Sequence, residues 1–369
     1  MKRKSIGEES KFAAKLPDMV GACEALRRDP EGGIDVTLAE YVQETHQLSM
    51  EQFYEDLGLD PTRDSIQLIT NLPDRNMRWL IPEIFRDAIR LGLRKAPIYP
   101  NFIAGEQTVS QLQVTMPAIN MSEAIPMKVG VAEIIPLGDV SFDQKTSKIY
   151  KYGRGIKVPY EVIQFVALNV VGLFMQDMGV KMGMGLDAMM INMLINGDQA
   201  GGIDSAPTIG IATANTLTFR DLLKLWVRGA RLGKSFTNVV GGETMGMDML
   251  DLLTTTKYFG QPRGNVTLTV KSPIPTDANY WIHGSVPDTQ AVFVDNSSAL
   301  LKLNAQPLLV ETDKIIQDQT QETYCTFQTG FVTMYKDSRV IMDETLAFGS
   351  GHGFPTYMDP TSQETQVFQ

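Results

Sequence analysis

Residues 148–198 read KIYKYGRGIKVPYEVIQFVALNVVGLFMQDMGVKMGMGLDAMMINMLINGD, and the fold is decided here. From Lys148 to Val158, Tyr150, Tyr152, Ile156 and Val158 alternate with Lys151, Gly153, Gly155 and Lys157. Period two predicts a strand. It feeds directly into a very long apolar stretch, Tyr160 to Ile195, which predicts a helix stopping at Asn196-Gly197-Asp198. Glu161 suits the positive end of the helix dipole. Gly197 falls where a left-handed C-terminal residue is wanted. Inside the run lie Gly172, Gly179, Gly183 and Gly185. Each costs about 1 kcal/mol against alanine in a helix interior. Either tertiary burial offsets that sum or the helix breaks near Asn169 to Gly172. Glycines also let a second backbone come close, and the methionines from Met175 to Met193 are adaptable packers.

Upstream, Met127, Val129 and Val131 alternate with Lys128, Gly130 and Ala132. Turn-forming residues (Pro136, Gly138, Asp139) separate this run from the one beginning at Tyr150. Residues 109–158 therefore predict a long hairpin. A lone two-stranded hairpin is marginal in water, so it must lie on a body or on another molecule. Nearer the start, Thr37-Leu38-Ala39-Glu40 is a capping-box pattern. Leu38, Tyr41, Val42 and Thr45 share the following face, then Phe53, Tyr54 and Leu57, with Gly58 and Pro61 ending the segment. So few apolar residues must pack on the body or on a neighbouring subunit. Leu80 to Leu93 predicts a further helix, with Pro82 in its first turn. Downstream, helices are expected over 219–232 and 245–253. Strands are expected over 236–240, 291–294, 308–310, 323–334 and 339–342, before a polar tail. The fold class is α+β.

Chemistry is sparse. The net charge of −10 over 369 residues argues against wrapping nucleic acid on a basic surface, though not against enclosing it. Two cysteines, Cys23 and Cys325, form no disulfide framework and fit a reducing compartment. No apolar segment follows the basic opening Met1-Lys2-Arg3-Lys4, so no signal peptide is expected. Polar residues such as Gln164, Asn169, Asp177, Lys181 and Asp187 interrupt the long apolar run, against a membrane span. Gly183-Met184-Gly185-Leu186-Asp187-Ala188 fits a loose dinucleotide fingerprint, but it lies inside a helix and not between strand and helix. His46, His283 and His352 have no metal-ligand spacing, and no nucleophile elbow or phosphate loop occurs. The expectation is no catalytic residue, no metal and no cofactor.

The order of elements resembles the major capsid proteins of tailed bacteriophages, the Hong Kong 97-type fold shared with encapsulins. The likeness spans residues 78–345 and rests on order, since no single motif is diagnostic. It implies an N-terminal arm or extension at 1–77 and a peripheral domain with its spine helix at 78–108 and 149–205. It further implies an extended loop at 109–148, an axial domain at 206–305, return strands of the peripheral domain at 306–348 and a tail at 349–369. Met121, Ile125, Met127, Val129, Ile134 and Phe142 of the loop would contact a neighbouring subunit. Phe174, Met178, Gly183, Leu186 and Met190 would pack the spine.

The resemblance implies a non-enzymatic protein of the virion, assembled in the host cytoplasm. Its homo-oligomers, hexamers and pentamers, would close an icosahedral shell around double-stranded DNA without sequence-specific contacts. Scaffold, portal and decoration proteins would be its other partners, with no membrane. The nearest alternative is an encapsulin-type compartment around protein cargo. A more distant one is a cytosolic α+β enzyme whose site is assembled from remote acids.

Overall fold

The computed structural model describes residues 12–27, 36–65, 79–95, 97–119, 140–197, 205–231, 234–255, 278–335 and 338–347. Helices α1 (Leu16–Arg27), α2 (Leu38–His46) and α3 (Met50–Leu57) precede α4 (Leu80–Lys95). Strands β1 (Ile103–Thr108), β2 (Gln113–Ile119), β3 (Val140–Lys148) and β4 (Tyr150–Pro159) follow, then helices α5 (Tyr160–Phe165) and α6 (Leu168–Asn196). The second half alternates β5 (Thr208–Ile211), α7 (Phe219–Arg231), β6 (Asn238–Gly241) and α8 (Glu243–Thr255). It closes with β7 (Asn279–Ile282), β8 (Gln290–Val294), β9 (Leu300–Ile315), β10 (Thr320–Thr333) and β11 (Arg339–Ala347).

The described residues form three sheets. One has the order β1-β9-β10-β4, the second β5-β11-β8-β6-β7, and β2 pairs with β3 alone. The α+β class expected from sequence is observed. The hairpin, however, is built differently. Its return arm is β3, with Gln113 opposite Lys148, while Tyr150–Pro159 pairs with β10 in the first sheet. The period-two signal at 150–158 was a real strand with a partner more than 150 residues away, which no local pattern reveals. The alternation at 127–131 lies outside the described residues. Strand β9 also exceeds its expected 308–310. It runs through Pro307 beside a register shift at Thr326–Gln328, where the missing N–H of proline is tolerated.

The long helix is interrupted at Val166–Ala167, which are both extended, and not at Asn169–Gly172. The cause is tertiary. Ala167 forms a bridge with Ser65, and the Leu168 and Asn169 amides donate to the Asp64 and Pro61 carbonyls at 3.1 and 2.9 Å. The N-terminal segment thus satisfies the first N–H groups of α6, which would otherwise have no partner. At the other end Gly197 has a positive φ of 69°, which glycine permits, but with ψ −171° it is not the left-handed helical residue expected there. Carbonyls there are met by the fully buried Arg339 of β11, whose Nη1 donates to Met193 and Leu194 at 2.6 and 2.8 Å.

One glycine pair fixes where α6 lies. A Cβ on Gly179 would sit 2.1 Å from the Ile89 carbonyl oxygen, and one on Gly92 would sit 2.1 Å from the Gln176 carbonyl oxygen. The two helix backbones are in contact. The N-terminal half of α6 then packs with α4, α1–α3 and the β9–β10 hairpin through Phe53, Phe85, Ile89, Val171, Met175 and Val310. Its C-terminal half meets the five-stranded sheet through Met190, Leu194, Val240, Val292 and Ile341. Helices α7 and α8 pack with that sheet in a separate core around Leu222, Leu225, Met245 and Phe293.

The N-terminal segment is held by the body. Its capping box is present in full, with Thr37 and Glu40 exchanging side-chain-to-backbone hydrogen bonds, and Ser49 with Gln52 makes a second. Gly58 ends α3 in the left-handed conformation. His46 is half-buried, edge-on to Phe12 at 5.2 Å.

The glycines of α6 predict opposite outcomes. Gly172 has nothing within 4 Å of an added Cβ, so Gly172→Ala should stabilise the chain by about 0.5–1 kcal/mol through helix propensity. Gly179→Ala should destabilise it by about 1–3 kcal/mol or more, because backbone must move. Urea unfolding of the two variants checks both signs.

Candidate functional site

The described residues hold no constellation for catalysis. They contain no group of three or more His, Cys, Asp or Glu placed to hold a metal. Cys23 and Cys325 are buried, and burial pushes both thiols up to about 12, which keeps them from acting as nucleophiles near neutral pH. His283 accepts the Ser285 N–H at Nδ1 in a loop. Asp187, the acid of the loose fingerprint, is a structural cap. Its buried carboxylate accepts the Ile98 and Tyr99 amides at 3.0 and 2.9 Å, and burial outweighs these donors to raise its pKa. Glu344 is pushed up to about 7, first by burial and then by a shared hydrogen bond with Asp248. It lies between β11 and α8, where Asn215 donates to its backbone carbonyl.

What the chain does present is uncovered apolar surface. Along one side of α6, Val170, Leu173, Phe174 and Met184 are all exposed, Phe174 by 62 %. Leu173, Phe174 and Met184 follow Val170 by three, four and fourteen residues, which places all four on one stripe of the helix, crossed by the exposed Asp177–Lys181 ion pair at 2.8 Å. Phe165 of α5 is also exposed, by 78 %. Beside the stripe, a groove of about 860 Å³ separates α6 from β4, with Ile156, Val158, Met175, Met182, Met189 and Phe327 in its wall. Among the described strands, β4 has a partner on one edge only. A row of unpaired backbone groups therefore borders an apolar groove, a combination that single-chain proteins cover or avoid.

The residues picked out from sequence fall in three places. Met178, Leu186 and Met190 are buried, and Gly183 lies within ordinary contact of the Leu93 carbonyl and Pro97. Phe174 departs from them. It faces outward, and within the single chain it packs no core. Phe142 lies in β3, in the register irregularity opposite Pro117. Met121, Ile125, Met127, Val129 and Ile134 lie outside the described residues. Gly92, the partner of Gly179 at the helix crossing, was missed. A single glycine inside an amphipathic helix gives only a weak signal.

Among the described residues, the stripe and groove leave much apolar area uncovered. A profile described as phage capsid protein matches residues 143–339, just over half of the chain. The chain belongs to that family. It is a capsid shell protein, a structural component of the virion and not an enzyme, and its copies assemble into a shell. Family and α+β architecture together support the Hong Kong 97-type reading of the fold. Among solved structures, the chain is similar to the virus-like particle from Pyrococcus furiosus, with 10 % identity and a TM-score of 0.49 over 70 % of this chain and 97 % of that one. It is also similar to a structure of Microbacterium phage Oxtober96, with 10 % identity and a TM-score of 0.49 over 68 % and 91 %. The SrpI encapsulin complex of Synechococcus elongatus PCC 7942 has 11 % identity and a TM-score of 0.48 over 68 % and 89 %. No curated protein matches the sequence.

The exposed and buried sides of α6 should respond differently to truncation. Phe174→Ser is expected to change the stability of the unassembled capsid protein by no more than about 0.5 kcal/mol. Met178→Ala, on the buried side, should cost about 2–5 kcal/mol. Equilibrium urea unfolding at a concentration that keeps the chain unassembled separates them.

Proposed function

We propose that this capsid protein builds an icosahedral phage head from hexamers and pentamers. The head would enclose double-stranded DNA without sequence-specific contacts, assembled in the host cytoplasm with scaffold, portal and decoration proteins. The observation that carries the reading is the uncovered stripe and groove of α6 and β4, in a chain whose hairpin β2–β3 pairs with neither main sheet. Each needs another copy. In the proposed shell, residues 109–148 are the extended loop. Met121, Ile125, Met127, Val129, Ile134 and Phe142 bring their apolar side chains onto a neighbouring subunit. Residues 149–205 with 78–108 and 306–348 form the peripheral domain around the spine, 206–305 the axial domain, 1–77 the arm and 349–369 the tail.

Energetics favour this arrangement. Apolar area removed from water contributes about 25 cal/mol per Å², so modest contacts repeated around each subunit sum over a closed shell. The net charge of −10 suits a container. An acidic protein repels the phosphate backbone on average, leaving packed DNA free to move.

Purified full-length protein should form capsomers or closed shells in light scattering and electron microscopy. Phe174→Glu should reduce shell formation at least tenfold while leaving the circular dichroism spectrum of the unassembled chain unchanged. A protein that stays monomeric under every assembly condition contradicts the proposal. Shells that purify with a protein cargo and no DNA from phage-producing cells would favour the encapsulin alternative.

A further inference from the structure

Asp87 stands on α4, one turn beyond Glu83, on the helix that shares a core with α1, α2 and α3. Its Oδ1 is sealed from solvent and has no hydrogen-bond partner. The carboxyl accepts the backbone N–H of Ala39, in the first turn of α2. Other groups face it from every packed element. Cys23 and Arg27 belong to α1, Tyr54 to α3, and Glu83 and Arg90 to α4. The nearby cations are engaged by other carboxylates. Arg27 grips Glu83 with both Nη atoms at 3.3 and 2.9 Å and donates Nε to the Val36 carbonyl at 2.7 Å. Arg86 reaches the same Glu83, while Arg90 and Arg94 share Glu40 at 2.8 and 2.9 Å.

Ionised, Asp87 is a second carboxylate beside Glu83 with one N–H donor and an orphan oxygen away from water. Such a charge is costly to bury. Protonated, it removes the repulsion and keeps the Ala39 hydrogen bond. We propose that Asp87 is a proton-operated clasp for the N-terminal segment, with α1–α3 held tightest to the body when its carboxyl is protonated and loosened as it ionises. The clasp lies within one chain, so it does not depend on the assembly proposed above.

The sign follows from the direction of the shift. Burial, and then Glu83, push the Asp87 carboxyl up from 3.8 to about 7. A group raised in the folded state stabilises it fully below its ordinary value, and that stabilisation is lost as pH rises through the folded value. The opening equilibrium of the segment should therefore grow about tenfold per pH unit over the upper part of that window and flatten above about 7. Glu40 acts in the opposite sense at lower pH. Burial raises its carboxyl, but the Thr37 amide and Arg94 and Arg90 hold it below its ordinary value on balance. Measurements above pH 5 stay clear of it.

The test is amide hydrogen exchange on the full-length chain from pH 5 to pH 8, with intrinsic rates corrected for pH. Protection in α1–α3 should fall by about tenfold or more across the range, while β9 and β10 change little. Asp87→Asn should remove the slope, with His46 and Glu344 common to both proteins. Protection in α1–α3 that is flat or rises toward pH 8, or a slope that survives Asp87→Asn, overturns the proposal. If Asp87→Asn does not fold, aspartate-selective carbon-13 labelling of the wild type decides. A carboxyl titrating near 7 that is assigned to Asp87 supports the clasp, and an Asp87 carboxyl already ionised at pH 5 rejects it.

Discussion

Two helix backbones touch at Gly92 and Gly179, and the placement of nearly everything else follows from that contact. It fixes α6 against α4 at a depth that no side chain would allow. From that position the two halves of the helix serve different cores. Met175 and Val171 complete the core shared with the N-terminal helices, while Met190 and Leu194 complete the one shared with the five-stranded sheet. Both ends of α6 are anchored by remote residues, the start by carbonyls of Pro61 and Asp64 and the end by Arg339. One helix thereby ties three parts of the chain together. Burying that much of it leaves a single free side, the stripe through Val170, Leu173, Phe174 and Met184.

This arrangement explains why a helix of 29 residues is apolar enough in one window to cross a bilayer by length and composition. A core helix between two cores passes the same test. Here the apolar residues that are not in either core face outward together, next to the groove along β4. In the assembly proposed above, this uncovered apolar area on α6 is what a neighbouring copy would cover. The acids Asp187, Asp87 and Glu344 sit at junctions between elements, where they hold pieces of one chain together.

Much of this was legible because the signals were local. Thr37 with Glu40, Gly58, the amphipathic runs of α4 and α7, and the strand alternation at Tyr150 to Val158 each announce an element through its own residues. What could not be read depends on partners distant in sequence. The break at Val166–Ala167 is set by residues 61–65, and the partner of β4 is β10, over 150 residues away. The same limit applies to the surface. Phe174 and Met178 look alike in the sequence, one helical turn apart, yet one is exposed and the other buried. Which face of α6 lies against α4, marked by the contact at Gly179, distinguishes them.

The central claim is that the outer side of α6 is an interface between copies. A near-atomic electron cryomicroscopy reconstruction of the assembled particle tests it most directly. Val170, Leu173, Phe174 and Met184 should be buried against a neighbouring subunit, with chain from that neighbour seated in the groove beside β4. A closed shell in which these four side chains face solvent and the groove is empty would contradict it.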